Sequence, residues 1–349
     1  MNNRIPPLDH SLFISQLSNV LKAGVDFLNA LKIIEGQIDN RHLKNGVSDV
    51  IFGIEEGEDL ANALSISGVF SPCFIACMEK ADEKNNLVEC LDDFKRIYEN
   101  EDKRRSILDR IIVFPFVTGA LAVAFLMVIM GFLFPHFMAM FEGLDIEMPA
   151  FTLWISRISL FFRDYFLVIL LVILLIRILG LIFKNIPVGR LALSRYLLKK
   201  APSNHIKRRI IYSKFSELLS ELLKYDIERQ DALKLISQEF EKDYYFGDIL
   251  ETAGKKCAEG MMLSKALGES GFFSDMYLEL ISLGEETGNL KESLKDNHVL
   301  FLESANSASV RRSHVLEPLI IFTVAIVIMI FILAFMLPMI DLYDAVSRI

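Results

Sequence analysis

The 349-residue chain lacks the short motifs through which many enzymes hold a nucleotide, a metal or an acyl group. There is no GxxxxGKS/T loop, which excludes a P-loop ATPase, and no GxGxxG, HExxH, GxSxG or paired CxxC. Cysteine is scarce: Cys73, Cys77, Cys90 and Cys257. Cys73 and Cys77 fall on one helix face at i, i+4, but no histidine accompanies them. The spacing disfavours zinc, and reduced, buried thiols of a cytoplasmic domain are expected. The six histidines are scattered. No metal or other cofactor is expected. The formal net charge of −8 argues against nucleic acid as a partner. No apolar run occurs near the N-terminus, so no cleavable signal peptide is expected.

Charge is missing from two long stretches. Residues 111–141 and 318–340 contain no Asp, Glu, Lys or Arg. A bilayer-spanning helix needs about 20 mainly apolar residues, so both read as transmembrane. Residues 165–183 read as a third span, with Arg177 close enough to one end to snorkel. None of these segments carries a carboxylate, which weakens a proton-coupled pump. Basic residues flank one side: Lys103, Arg104, Arg105 and Arg110 before the first run, Arg311 and Arg312 before the last. The positive-inside rule then places the N-terminus in the cytoplasm and the short tail in the periplasm.

The chain repeats itself. Phe13, Leu17, Ser18 and Leu21-Lys22 recur 202 residues later as Phe215, Leu219, Ser220 and Leu223-Lys224. From Glu56-Gly57, matched by Glu259-Gly260, the offset is 203, and it holds for Asn86-Leu87 with Asn289-Leu290 and for Pro115 with Pro318. A helical domain feeding one hydrophobic segment thus occurs twice. The expected division is 1–110, a first cytoplasmic helical domain; 111–135, a span; 136–164, an extracytoplasmic loop and interfacial segment; 165–183, a second span. It continues with 184–314, a second helical domain repeating the first; 315–340, a third span; and 341–349, an extracytoplasmic tail. The fold class expected is all-α, with about six helices in each of two bundles. Asp9 or Ser11 is expected to cap the first helix, and Ser71-Pro72 to start another.

The stretch GEETGNL, 284–290, places two acids between two glycines. Gly288-Asn289 suits the end of one helix and the cap of the next. Glu285 and Glu286 then lie in a last helical turn, the unfavourable end for negative charge, which a partner cation would offset. The counterpart, ADEKNNL at 81–87, keeps an acid pair, Asp82-Glu83, but neither glycine. A shared turn favours structure or docking over catalysis. Candidate partner contacts are Glu285, Glu286, Asp82 and Glu83. Gly284 and Gly288 are candidate turn residues, and Pro115 and Pro318 candidate bends.

Gly260, Ala266-Leu267, Gly271-x-Phe273 and Gly284-Glu285-x-Thr287-Gly288-x-Leu290 together resemble the type II secretion F family, the inner-membrane platform proteins of type II secretion and type IV pilus machines. The first copy departs from the motif at Ala81, Lys84 and Asn85. The resemblance, closest to type IVb pilus members, implies a non-enzymatic platform in the bacterial inner membrane. It implies contact with a cytoplasmic hexameric assembly ATPase, with pilin or pseudopilin and with other inner-membrane assembly proteins. It also implies an oligomer embedded in membrane lipid. Two other readings stand beside it. An oligomeric transporter or channel would use the internal repeat. A membrane peptidase would need paired aspartates at the membrane edge, and the one Gly-Asp pair, Gly247-Asp248, lies inside a helical domain.

Overall fold

In the computed structural model the described residues are 5–129, 204–240 and 244–347, with isolated positions between 135 and 175. These residues are all-α; among them no strand occurs. The first series of helices is α1 Pro7–Lys22, α2 Phe27–Glu35, α3 Arg41–Glu55, α4 Leu60–Ser67, α5 Pro72–Glu83 and α6 Leu87–Val128. The second is α7 Asn204–Lys224, α8 Arg229–Glu239, α9 Tyr244–Ala258, α10 Leu263–Gly268, α11 Asp275–Glu286 and α12 Leu290–Ser347. The chain divides into two units. One comprises Met1–Ile107 and Leu191–Ala308, and the other Leu108–Arg190 and Ser309–Ile349.

The first unit holds both bundles. Side-chain caps start several of its short helices: Asp26, Asn40, Asp59, Ser71 and Ser274 each accept a hydrogen bond from a backbone N–H of the helix they precede. The first helix differs from expectation. It begins at Pro7, with Pro6 in the cap position and no side-chain cap, so Asp9 and Ser11 lie inside the helix. A proline supplies a helical φ and has no N–H to satisfy, so the start needs no capping side chain. Apolar residues recurring three and four apart put one face of each helix into the core. Phe13, Leu17, Phe74 and Phe94 pack in the first bundle, and Phe215, Phe246, Phe272 and Tyr277 in the second. Cys73, Cys77 and Cys90 are buried free thiols in that core.

Among the described residues, four left-handed backbone positions occur in each bundle, at matching places. Gly57 and Gly260 share φ 90°, and Gly68 and Gly271 have φ 62° and 59°. Gly24 (φ 87°) is matched by Asp226 (58°), and Gly288 (72°) by Asn85 (54°). Asp and Asn are the residues besides glycine that best tolerate this region. The first copy therefore keeps the turn conformation without the glycine.

Within the second unit, Ile155 and Ala334 are buried and pack with Ile330 and Phe331.

The membrane reading is corrected. Among the described residues no helix is long and apolar enough to cross a membrane. Residues 165–183 and the loop at 136–164 lie, but for isolated positions, outside the described residues. Three transmembrane helices are not supported. Nor are the multi-pass inner-membrane location, the cytoplasmic N-terminus with periplasmic C-terminus, the inner-membrane platform function or the membrane channel, each of which requires those spans.

Candidate functional site

The turn at 284–290 joins α11 to α12 by close packing. A Cβ built on Gly284 would lie 2.6 Å from Ser293 Cβ and 3.3 Å from Leu290 Cα, so only glycine lets the start of α12 come this near. Ser293 uses that approach to donate from Oγ to the Leu280 carbonyl at 2.7 Å. Gly288 takes the left-handed conformation that ends α11.

Glu285 points into the bundle, with its side chain 3% exposed. It accepts hydrogen bonds from Leu263 N at 2.8 Å, Ser264 N at 2.9 Å and Ser264 Oγ at 2.8 Å, and pairs with Arg229 at 3.0 Å. The carboxylate thus serves as the missing cap of α10, whose own cap residue, Met262, has no side-chain acceptor. The helix N-terminus and Arg229 offset the unfavourable position of the acid at the end of α11. Glu286, one residue on, is exposed and accepts from Ser282 Oγ at 3.2 Å. In the other copy Asp82 and Glu83 are both exposed, and Glu83 pairs with Lys80 at 3.0 Å. Pro115 and Pro318 both lie inside continuous helices, α6 and α12. Each removes one backbone hydrogen bond, the condition for a bend.

A polar buried region lies elsewhere, where the two bundles meet within the first unit. α5 packs against α7 and α8. Arg104, fully buried, donates to Glu217 at 2.7 Å and to Glu101 at 3.1 Å. Lys214 lies 3.4 Å from Glu101 and 3.3 Å from Glu239. Asn100 donates to Glu217 at 2.6 Å and lies 3.2 Å from His298 Nε2, whose other ring nitrogen is 3.0 Å from Ser213 Oγ. At the far end Lys224 pairs with Asp93 and with Glu89, and Tyr225 donates to Asp93 at 2.9 Å. Lys84 pairs with Asp226 at 2.5 Å.

The electrostatics follow from this packing. Burial opposes ionisation of Glu101, but Lys214 and Arg104 outweigh it and hold the carboxyl at about 2. Burial, helped by Asp93, pushes Glu221 up to about 7. Burial lowers His298 and Glu217 opposes the shift. Sequence reasoning missed this network. Arg104 read as one of a basic cluster, and His298 as one of several scattered histidines, because Glu217 lies 113 residues from Arg104 and Asn100 lies 198 residues from His298. Among the described residues no group of three or more His, Cys, Asp or Glu is placed to hold a metal.

The family model described as "Type II secretion system (T2SS), protein F" matches the chain twice, over residues 13–135 and 215–338. Several characterised proteins align along almost the whole length. "Type IV pilus assembly protein PilC" of Pseudomonas aeruginosa is 23% identical, covering 99% of this chain and 92% of that protein. The protein of the same name from Thermus thermophilus is 24% identical, covering 99% and 86%. "Type II secretion system protein F" of Aeromonas hydrophila is 24% identical, covering 97% and 87%.

Proposed function

The chain belongs to the type II secretion system protein F family, and from that premise we propose that its paired helical bundles are a docking scaffold in a type IV pilus or type II secretion assembly machine. The role is structural and non-enzymatic, as is typical of the family, and membership associates the chain with the components of that machinery. The observation that carries the reading is the double match of one family model, at 13–135 and 215–338, in a chain whose relatives include pilus assembly proteins. Under this proposal the helical domains are the two repeats, 1–110 and 184–314. Their partners are a cytoplasmic hexameric assembly ATPase and pilin or pseudopilin subunits. Exposed carboxylates at the repeated turn, Glu286 in one copy and Asp82 and Glu83 in the other, are the proposed points of contact. Glu285 holds the turn in shape behind them, and Pro115 and Pro318 are proposed bends.

The test is deletion followed by complementation. Loss of the gene abolishes the fibre or the secreted substrate while pilin synthesis and leader cleavage continue. Normal fibre assembly in the deletion strain overturns the proposal. Charge reversal of Glu286, Asp82 and Glu83 together weakens copurification with the ATPase without lowering the thermal midpoint. An unchanged yield removes these acids from the contact.

A further inference from the structure

The two bundles meet through unlike faces. The first contributes α5 and the part of α6 up to Arg104, and the second contributes α7, α8 and His298 of α12. A contact of like faces would also lay α11 and α12 of the second bundle on α1 of the first. It does not. Leu12 of α1 is 56% exposed, whereas Lys214, its counterpart in α7, has a side chain 17% exposed at the joint. Met276 of α11 is 57% exposed, whereas its counterpart Cys73 is 0% exposed. Each bundle therefore keeps one spare face, and the two spare faces are the counterparts of the two already joined. Unlike faces of this kind extend the assembly by adding further copies.

The spare faces match each other residue by residue. Inside the chain Lys224 is held by Glu89 and Asp93. The counterparts are Lys22 on α1 and Glu292 and Asp296 on α12, so all three charges are retained. The Arg104–Glu217 pair corresponds to Ser307 and Ser15, and the Lys214–Glu101 pair to Leu12 and Ser304, so in each case both charges are lost together. The Asn100–His298 contact corresponds to Glu303 and Lys95, which carry opposite signs. Met276 and Leu300 stand exposed where Cys73 and Ile97 are buried, and supply an apolar centre opposite Leu12. Joining the two faces leaves none of these charges without a partner of opposite sign, the condition that decides whether buried charge is tolerated. Lys22 already bonds Asp92 at 2.7 Å, an exposed pair. Lys224 holds two acids at once in the same position of the other bundle.

We propose that α1 of one copy of this chain docks on the α11–α12 face of a second copy, in a head-to-tail contact that reproduces the joint inside each chain. The partner is another molecule of the same protein. The contact is heterologous, so it gives a closed ring or an open filament according to the rotation between copies.

The experiment uses the full-length chain with Cys257→Ser, which leaves Cys73, Cys77 and Cys90 buried. Leu12→Cys and Ser304→Cys are introduced in separate preparations and treated with a short bismaleimide. A covalent dimer is expected when the two preparations are mixed, and in neither alone. Met276→Arg in the Ser304→Cys chain removes the dimer. Asp296→Lys in that chain also removes it, and Lys22→Glu in the Leu12→Cys chain restores it. Circular dichroism confirms that each variant stays folded, and the charge exchange carries the test should Met276→Arg unfold. Absence of a dimer in the mixture overturns the proposal. So does a dimer from either single preparation, which would mean that like faces meet, and so does failure of the charge exchange to restore it.

Discussion

At the scale of single residues, the clearest demand falls on Glu221. Its carboxyl is pushed up to about 7 by burial and by Asp93, against the opposing pull of Lys224 and Arg96, and its Oε2 is buried without a hydrogen-bond partner. The folded chain therefore holds a proton that the unfolded chain releases near 4.5. Stability from this group is full below that value, falls as pH rises to about 7, and costs on the order of 3 kcal/mol above it. Glu221→Gln is expected to stabilise the protein at pH 8 and to flatten the dependence between pH 5 and 7, measured by urea unfolding; equal midpoints for the two proteins at pH 8 would refute the assignment. Glu101 acts in the opposite sense. Its carboxyl, held at about 2, contributes stability that is lost only as pH falls below the usual carboxylate range.

At the scale of elements, the turn between the last two helices of each bundle is one backbone conformation written with different residues. Gly288 and Asn85 both take positive φ. Gly288→Asn is therefore expected to lower the thermal midpoint only slightly, whereas Gly288→Val costs about 1–2 kcal/mol or more, because a β-branched side chain clashes in the left-handed region. Equal losses for the two variants in a thermal melt would show that the φ value is not what selects the residue. The turn was legible in the sequence because glycine and asparagine mark it. The role of Glu285 was not: an acid at the end of α11 looked badly placed until α10 brought two backbone N–H groups and Arg229 to it. Helix lengths were legible in part. Period and caps predicted the short helices well, but the capped start expected at Asp9 or Ser11 gave way to a proline start at Pro7.

At the scale of the whole molecule, the joint between the bundles rests on buried charge. Arg104 and Glu217 are almost fully buried and bonded to each other. Arg104→Met is expected to cost about 3–5 kcal/mol by leaving Glu217 buried without its cation, and Arg104→Met with Glu217→Met to recover most of that loss. Chemical unfolding of the full chain measures both; a double variant no more stable than the single one would mean that the pair acts independently of one another. The amino-acid sequence by itself determined the all-α class, the internal duplication and the family. Each of these follows from apolar spacing, turn residues or aligned identities that are local or simply repeated. Only the tertiary structure decided which charges meet, that Glu285 serves as a cap, and that the bundles join by unlike faces. Those outcomes depend on side chains brought within about 3 Å across long separations in the chain, and no local pattern encodes such a distance.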